Sequence, residues 1–324
     1  MKFPRRQVLY LAAAAALAVT TQTATAQNYP TRPVRMMVGF AAGGTTDIVA
    51  RLIGQWLSER LGQQFVIENR PGANTNLAVE AVARSPADGY TLGTVGISNA
   101  INSTLYPQFN FDPNRDLAMV AGLNNSPLVV VVHPTVPVNT VPEFISYAKA
   151  NPGRISMASF GTGSISHVAG ELFRIAAGIE MLHVPYRGSA PMLIDLLGGQ
   201  VQTAFDNLSA SIEHIRSGKL RALAVTTATR SDALPQVPSL ADYLPGYEAS
   251  AFFGIGAPKS TPAEVVLKLN EEINAGLADP KIKARLAELG GAALVFSPAE
   301  FSRFIANETE KWAKVVREAK IKAE

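Results

Sequence analysis

Two glycine-rich runs are the residues of this sequence best suited to chemistry, and that chemistry is the binding of an anion by the backbone. Residues 39–47 read GFAAGGTTD and lie between the apolar stretch Val34–Val38 and a helical pattern that begins at Ile48. Glycines let the chain turn tightly close to a ligand, and a helix start offers unpaired N–H groups and a positive dipole end. Residues 159–167, SFGTGSISH, repeat the arrangement. Two such helix starts, far apart along the chain, predict a cleft between two lobes.

The candidate ligand contacts follow from these two runs. In the first run, the N–H groups of residues 42–45 and the Thr45 hydroxyl are expected to bind the ligand. Asp47 is expected to be structural, because a carboxylate repels an anionic ligand. In the second run, Ser164 is a natural helix cap. The predicted contacts in the two runs are Phe40, Ala41, Ala42, Gly43, Gly44, Thr45, Ser159, Phe160, Gly161, Gly163, Ser164 and His167.

Further polar residues follow other predicted strands and complete the candidate site: Ser98, Asn99, Tyr186, Arg187 and Asp206. Tyr186 would offer its hydroxyl, Arg187 a bidentate clamp for a carboxylate, and Asp206 an acceptor for a water, a hydroxyl or an amine. Structural alternatives stay open for three residues. Arg187 could be a solvated surface group, and Asp206 could cap a helix that starts at Ser209. His167 could be a partly buried histidine that is bonded to the backbone.

The sequence favours a binding protein over an enzyme. It contains no G-x-S-x-G nucleophile elbow and no G-x-x-x-x-G-K-[ST] phosphate loop. Gly161 and Gly163 lack the third glycine of a dinucleotide site, and His133, His183 and His214 have no partner at metal-ligand spacing. Neither a cofactor nor a metal is therefore expected. A hydrolase using Ser164 and His167 remains the enzymatic alternative, although it lacks an evident orienting acid.

The first 26 of the 324 residues predict an export signal. Lys2 and the pair Arg5-Arg6 precede an apolar stretch at residues 8–19, and Ala24-Thr25-Ala26 fits a cleavage site before Gln27. The arginine pair leaves both the general secretory and the twin-arginine routes open, and either leads to the periplasm. Without the three basic residues of the signal, 26 basic and 26 acidic residues remain. This balance gives no electrostatic case for binding nucleic acid or an anionic membrane.

Alternating strand and helix patterns along the mature chain predict an α/β fold with mainly parallel sheets flanked by helices. The apolar run at residues 128–132 predicts a strand buried on both faces. After it the alternation restarts, so two α/β units are expected in tandem, followed by a helical tail that packs back on the first. The chain would cross between lobes near residues 124–127 and 245–250. Lobe 1 is predicted to comprise residues 27–125 plus 248–324, and lobe 2 residues 126–247.

Motifs spread over nearly the whole mature chain resemble the substrate-binding receptors of tripartite tricarboxylate transporters, the Bug or TctC family. They are VGFAAGGTTD from Val38, ENRPGA from Glu68, DGYTL from Asp88, Gly163-Ser164 with His167, HVPYRG from His183, DLLGGQ from Asp195, FDN from Phe205, GKLRALA from Gly218 and LPQVP from Leu234. The resemblance implies a type II periplasmic binding protein, or Venus flytrap, with two crossovers. It also implies a small carboxylate ligand between the lobes and delivery to a two-subunit membrane permease.

Receptors of this shape usually act as monomers, so a monomer without stable membrane insertion is expected. A receptor that signals to a sensor kinase would use the same closure and remains an alternative. The sequence departs from the family pattern at three places. Gly39 stands where proline is usual, Asn74-Thr75-Asn76 replaces a more glycine-rich stretch, and Phe252-Phe253 replaces an aromatic pair that often includes tryptophan.

Overall fold

The computed structural model describes residues 29–106 and 112–323. The predicted signal at residues 1–26 lies outside the described residues. The strands are β1 (Val34–Val38), β2 (Phe65–Asn69), β3 (Thr91–Gly96), β4 (Leu117–Val132), β5 (Ser156–Ser159), β6 (Leu182–Pro185), β7 (Thr203–Asn207), β8 (Arg221–Val225), β9 (Ser250–Pro258) and β10 (Ala292–Ala293). The helices are α1 (Thr45–Leu61), α2 (Asn76–Ala83), α3 (Ile97–Leu105), α4 (Pro113–Asp116), α5 (Val141–Ala150), α6 (Ile165–Ala177), α7 (Ser189–Leu197), α8 (Leu208–Arg216), α9 (Ala263–Ala278), α10 (Pro280–Glu288) and α11 (Pro298–Glu318).

The strands form two lobes that share the long strand β4. In the first lobe, β1 pairs in parallel with β2 and β3, and β9 lies antiparallel between β3 and the first part of β4. In the second lobe, β5 pairs in parallel with β6 and β7, and the last part of β4 lies antiparallel between β7 and β8. Each lobe therefore has a parallel centre, and the antiparallel pairs arise from the strands that connect the lobes.

The hinge consists of the two connecting strands. Residues up to Pro127 of β4 pair with β9, with Pro127 opposite Ser250, whereas from Leu128 onward β4 pairs with β7 and β8. The chain thus enters the second lobe along β4 and returns to the first along β9. The sequence analysis recognised only residues 128–132 of β4 as a strand. The lobe boundaries between residues 125 and 126 and between residues 247 and 248 stay a prediction.

Thr226 joins the two connecting segments from inside the hinge. It is fully buried, and its hydroxyl accepts a hydrogen bond from the Leu128 N–H at 3.0 Å. The same hydroxyl lies 3.0 Å from the Leu128 carbonyl and 2.6 Å from the Ala249 carbonyl, to which it can donate its proton. The Ala249 N–H donates to the Thr226 carbonyl at 2.9 Å. One residue therefore fixes the spacing of both segments where the chain passes between the lobes.

The helical tail packs across the whole molecule. Helix α11 lies on α3 and β4 of the first lobe, as predicted, and it also contacts α6 of the second lobe. Its Trp312 and Phe301 are fully buried in a core that includes Phe252 and Phe173. A Cβ atom at Gly254 would lie 2.1 Å from the Phe301 ring, so this glycine is needed where α11 crosses β9. Among the described residues, no helix is both long enough and apolar enough to cross a bilayer.

Replacing Thr226 with valine tests the hinge contact. Valine keeps the side-chain shape but removes the hydroxyl, so the buried Leu128 N–H and the Ala249 carbonyl lose this partner. We expect the free energy of unfolding to fall by about 1–3 kcal/mol in denaturant titrations. Thr227→Val is the matched control, because the Thr227 hydroxyl donates to the Thr229 carbonyl at the surface. Equal effects of the two substitutions would contradict the assignment.

Candidate functional site

The first glycine run leaves the start of α1 open. Gly44 is the cap residue and supplies no side-chain hydrogen bond to the helix. The N–H groups in the first turn of a helix have no intrahelical carbonyl to bind. Residues 41–44, which include Ala41 and Ala42, are exposed, and Phe40 is partly buried against the core with its carbonyl bound by Asn69. The helix start therefore presents free backbone donors at the surface of the first lobe.

Asp47 organises this loop from the first turn of α1. It is almost fully buried, and its carboxylate accepts hydrogen bonds from the Gly43 N–H at 2.9 Å and from Asn69 Nδ2 at 2.9 Å. Burial alone would raise the pKa of Asp47, but the hydrogen bonds from Arg51, Gly43 and Asn69 and the charge of Arg51 lower it overall. The prediction that the Gly43 N–H binds the ligand therefore needs correction, because that donor is already taken. The N–H groups of Gly44 and Thr45 remain.

The second glycine run repeats this construction with different side chains. Ser164 caps α6 by accepting a hydrogen bond from the His167 N–H at 3.3 Å. The Gly163 N–H donates to His167 Nδ1 at 3.1 Å, just as the Gly43 N–H donates to Asp47. Both glycines have positive φ angles, 86° at Gly43 and 74° at Gly163. In each lobe, a first-turn side chain thus holds the glycine that precedes the helix cap.

The predicted donors of the second run need a matching correction. The Gly161 N–H donates to Ser159 Oγ at 3.2 Å, and Ser159 is fully buried. The Gly163 N–H is taken by His167, and Ser164 Oγ also donates to the Gly161 carbonyl at 2.6 Å. Phe160 is partly buried and packs on the core. The first-turn N–H groups of α6 are therefore better candidates for ligand binding than the glycine N–H groups.

His167 belongs to a histidine pair that sequence spacing did not reveal. Its ring stacks on the ring of His183 with centroids 3.6 Å apart and planes 3° apart, and His183 Nε2 lies 2.7 Å from Ser159 Oγ. Burial, together with the neighbouring His183, lowers the pKa of His167 to about 3. His167 is therefore neutral at physiological pH. Because Nδ1 accepts from Gly163, we assign the ring proton to Nε2.

Both glycine loops lie at the junction of the lobes. The hydroxyls of Thr45 and Ser209 lie 3.1 Å apart, which connects the start of α1 to the start of α8. Asn74 Nδ2 of the first lobe donates to the Gly163 carbonyl of the second lobe at 3.1 Å. A Cβ atom at Gly163 would lie 2.1 Å from Leu105 Cδ2, which also belongs to the first lobe. The lobes are thus in contact, with both helix starts at their shared face.

Two of the remaining predicted contacts, Asn99 and Tyr186, are bonded within their own lobe. Asn99 Oδ1 accepts a hydrogen bond from the Gly96 N–H at 2.8 Å, and its Nδ2 donates to Thr75 Oγ1 at 3.2 Å. The Tyr186 hydroxyl donates to Asp195 at 2.7 Å, so its proton is not available to a ligand. Burial and this bond raise the pKa of Tyr186 to about 12. Ser98 is buried in the first turn of α3, and Arg187 is exposed.

Asp206 is fully buried inside the second lobe and touches no open surface. Its carboxylate accepts hydrogen bonds from Ser189 Oγ at 2.8 Å and from Ser211 Oγ at 2.7 Å. These serines lie in α7 and α8, so the carboxylate ties two helices to the end of β7. Burial raises the pKa of Asp206 to about 6 despite these hydrogen bonds. The predicted direct contact between Asp206 and the ligand therefore needs correction, because Asp206 has a structural role. It is not the helix cap either, since Asn207 occupies the cap position of α8.

Unpaired polar groups at the hinge were missed by the sequence analysis. Among the described residues, Asn124 Nδ2 and Oδ1, Ser126 Oγ, Asn207 Oδ1 and Ser250 Oγ are buried without a hydrogen-bond partner. Such groups are rare in proteins. Their positions on β4, β7 and β9 place them where the lobes join. The run Asn124-Asn125-Ser126 was the available signal, but it was interpreted only as a crossing point.

A surface cavity in the first lobe lies away from this junction. Its lining includes Glu80, Arg84, Arg115, Asp116 and Lys259. The cavity lies near the beginning of β3, whereas the candidate site lies beyond the end of this strand. Arg84 pairs with Glu80, and Arg115 pairs with Asp116. The cavity does not lie at the junction of the lobes, so it is separate from the candidate site at the two helix starts.

Known proteins are similar to this chain over nearly its whole length. Residues 49–321 match the family model described as tripartite tricarboxylate transporter family receptor. The chain is 38% identical to protein BugT of Bordetella pertussis over 302 residues, which is 92% of this chain and 93% of BugT. The chain belongs to this receptor family. Its members are periplasmic binding proteins.

Two solved structures show how closely the fold of this receptor follows the family. The structure of R. palustris Rpa4515 with adipate has a TM-score of 0.85 at 40% identity and covers 91% of this chain and 99% of that chain. MatC from Rhodopseudomonas palustris with bound malate has a TM-score of 0.80 at 32% identity and covers 89% and 100%. The prediction of a two-lobed type II periplasmic binding protein is therefore confirmed.

The family consists of receptors that bind solutes, so the prediction of a binding protein in place of an enzyme is confirmed. The geometry of the proposed hydrolase pair agrees with this. Ser164 Oγ contacts the Gly161 carbonyl and the backbone of His167, not the imidazole ring. The ring instead accepts the Gly163 N–H. Across residues 29–106 and 112–323, no group of three potential metal ligands comes together.

The buried carboxyl group of Asp206 gives the receptor a pH dependence with a definite sign. Because its folded pKa of about 6 exceeds the usual value near 4, the folded state keeps a proton that the unfolded chain releases. The contribution of Asp206 to the free energy of unfolding is therefore full below about pH 4 and falls by about 3 kcal/mol by pH 7. Denaturant titrations of the receptor and of Asp206→Asn should differ progressively across this range. A constant difference between them would contradict the buried carboxyl group.

Proposed function

We propose that the receptor captures a small carboxylate between its lobes and delivers it to a two-subunit permease of the tripartite tricarboxylate type. The observation that carries this proposal is the pair of helix starts, α1 in the first lobe and α6 in the second, which both lie at the lobe junction. Support also comes from two relatives, because the Rpa4515 structure contains adipate and the MatC structure contains malate. Adipate and malate are both dicarboxylates, so each carries the negative charge that a helix start favours.

The proposed recognition uses backbone dipoles instead of a buried cation. A single helix start contributes about 0.3–1 kcal/mol to binding an anion at an exposed site. Two starts that converge in a closed cleft bind more strongly, because hydrogen bonds strengthen when water is excluded. Asp47 does not oppose the ligand with a free charge, since Arg51 lies 2.9 Å from its carboxylate. The ring of His167 is neutral, but its Nε2–H can still donate a hydrogen bond to a carboxylate.

The proposed ligand contacts are backbone groups and polar side chains at the two helix starts. They comprise Gly44, Thr45 and the exposed residues Ala41 and Ala42 in the first lobe, with Ser164 and His167 in the second. Arg187 remains the proposed clamp for a further carboxylate, because it is exposed just before α7. Specificity would then depend on side chains at the lobe junction, Ser98 and Ser209 among them.

Location and delivery follow from the same proposal. The predicted signal at residues 1–26 would direct the chain through the secretory or the twin-arginine route to the periplasm. There the closed, ligand-loaded monomer would meet the permease.

A ligand panel read by thermal shift tests the proposed function. The panel contains mono-, di- and tricarboxylates, amino acids and aromatic acids. We expect the melting temperature to rise with at least one small carboxylate, because a ligand that binds the folded state stabilises it. The bound ligand should be recovered unchanged and in a ratio of one to one. Turnover of a panel member, or no response to any carboxylate, would contradict the proposal.

Gly43→Glu tests the first helix start. Gly43 has a φ angle of 86°, and no described atom lies within 4 Å of a Cβ placed there, so the carboxylate would fit beside the start of α1. We expect at least tenfold weaker binding in calorimetric titration, because the added charge repels the ligand. Gly62→Glu is the matched control, with a φ angle of 71° and open space at the opposite end of α1. Equal affinity of the two variants would count against this loop.

A further inference from the structure

The turn that precedes α2 carries an unusual backbone. Ala73, Asn74 and Thr75 have φ angles of 45°, 47° and 79°, so three successive non-glycine residues adopt the left-handed region. This conformation is unfavourable for residues with a Cβ and normally occurs as single residues. Strained backbone of this kind persists only where the surrounding structure holds it. Contacts with the surrounding structure must therefore hold the turn, and the strained backbone points to a functional role.

The restraint comes from two asparagines of α3. Asn102 Nδ2 donates to the Asn74 carbonyl at 2.7 Å and to Asn76 Oδ1 at 2.8 Å. Asn99 Nδ2 donates to Thr75 Oγ1 at 3.2 Å. Both asparagines are buried, so these bonds are shielded from water and pin the turn against the first lobe.

The turn links two departures from the family pattern, Gly39 and the stretch Asn74-Thr75-Asn76, because the two segments contact each other. A Cβ atom at Gly39 would lie 2.6 Å from Thr75 Cβ and 3.0 Å from Thr75 Cα. A proline at position 39 would therefore collide with the turn. Gly39 and the stretch Asn74-Thr75-Asn76 fit each other, and together they bring the turn close to the end of β1.

The outer side of the turn reaches the second lobe. Asn74 Nδ2 donates to Asn102 Oδ1 at 2.8 Å and to the Gly163 carbonyl at 3.1 Å. Gly163 immediately precedes Ser164, the cap of α6, and it also packs on Leu105. A side-chain amide of the first lobe is therefore bonded to the loop that forms the second helix start.

We propose that Asn74 is a latch for the closed receptor, a positioning residue that holds the second glycine loop against the first lobe and slows ligand release. The strained turn presents the Asn74 amide in the direction of Gly163 before the lobes meet. The bond to Gly163 exists only when the lobes are in contact, so it stabilises the closed state alone. The slower release of ligand rests on the proposed function, whereas the stabilisation of the closed state does not.

Two variants separate the latch from the strain. Asn74→Ala removes the amide and keeps the strained backbone, whereas Asn74→Gly removes the amide and relieves the strain. Asn114→Ala is the matched control, because Asn114 Nδ2 donates to Thr309 Oγ1 at 3.3 Å within the first lobe. Asn74→Gly also guards against misfolding of the alanine variant, since glycine adopts a positive φ angle readily.

The first readout is the distance between the lobes without ligand. The chain contains no cysteine, so Gln55→Cys in α1 and Lys149→Cys in α5 give unique sites for two spin labels. We expect both Asn74 variants to shift the measured distances toward the open state, and the Asn114→Ala variant to leave them unchanged. Unchanged distances in both Asn74 variants would overturn the latch, whether or not any ligand is known.

The second readout is the rate of ligand release, measured by stopped flow with a carboxylate that binds in the panel. Loss of one hydrogen bond predicts a dissociation rate roughly two- to tenfold higher in both Asn74 variants. The association rate should not fall, because the ligand enters the open state, which lacks the bond and which the variants populate more. A merely structural role would instead lower the melting temperature and leave the dissociation rate unchanged, which would overturn the proposal. If no carboxylate binds, the proposed function fails, while the distance measurement still tests the latch.

Discussion

The structure depends on the inability of a helix to satisfy the N–H groups of its own first turn. Each lobe of this receptor brings one such helix start to the lobe junction, without a side-chain cap at α1 and with Ser164 as the cap of α6. In both lobes the adjoining glycine is held by a side chain from within the first turn, Asp47 in one lobe and His167 in the other. These bonds hold both glycine loops in place beside the helix starts that we propose as the anion site.

Two loops on separate lobes can serve one ligand only if the lobes keep a fixed relation at their base. The connecting strands β4 and β9 supply that relation, with Thr226 bonded to both segments at the hinge. The lobes also meet through the Thr45–Ser209 and Asn74–Gly163 contacts beside the two helix starts. In the proposed function, the ligand would bind close to these contacts.

Much of this architecture could be predicted from the sequence, because glycine runs and alternating strand and helix patterns are local signals. The first part of β4 could not, since the Asn-Asn-Ser-Pro run before Leu128 is typical of a turn and only pairing with β9 makes it a strand. The His167–His183 pair depends on the register of β5 and β6, which spacing along the chain does not encode. Asp206 looked accessible at a strand end, but two serines of neighbouring helices enclose it.

The central claim is that one carboxylate is shared by backbone donors of both lobes. A crystal structure of the receptor with a bound carboxylate tests it most directly. We predict carboxylate oxygens within hydrogen-bonding distance of first-turn N–H groups of both α1 and α6, either directly or through one water molecule. A ligand held by side chains of a single lobe, with either helix start empty, would contradict the account.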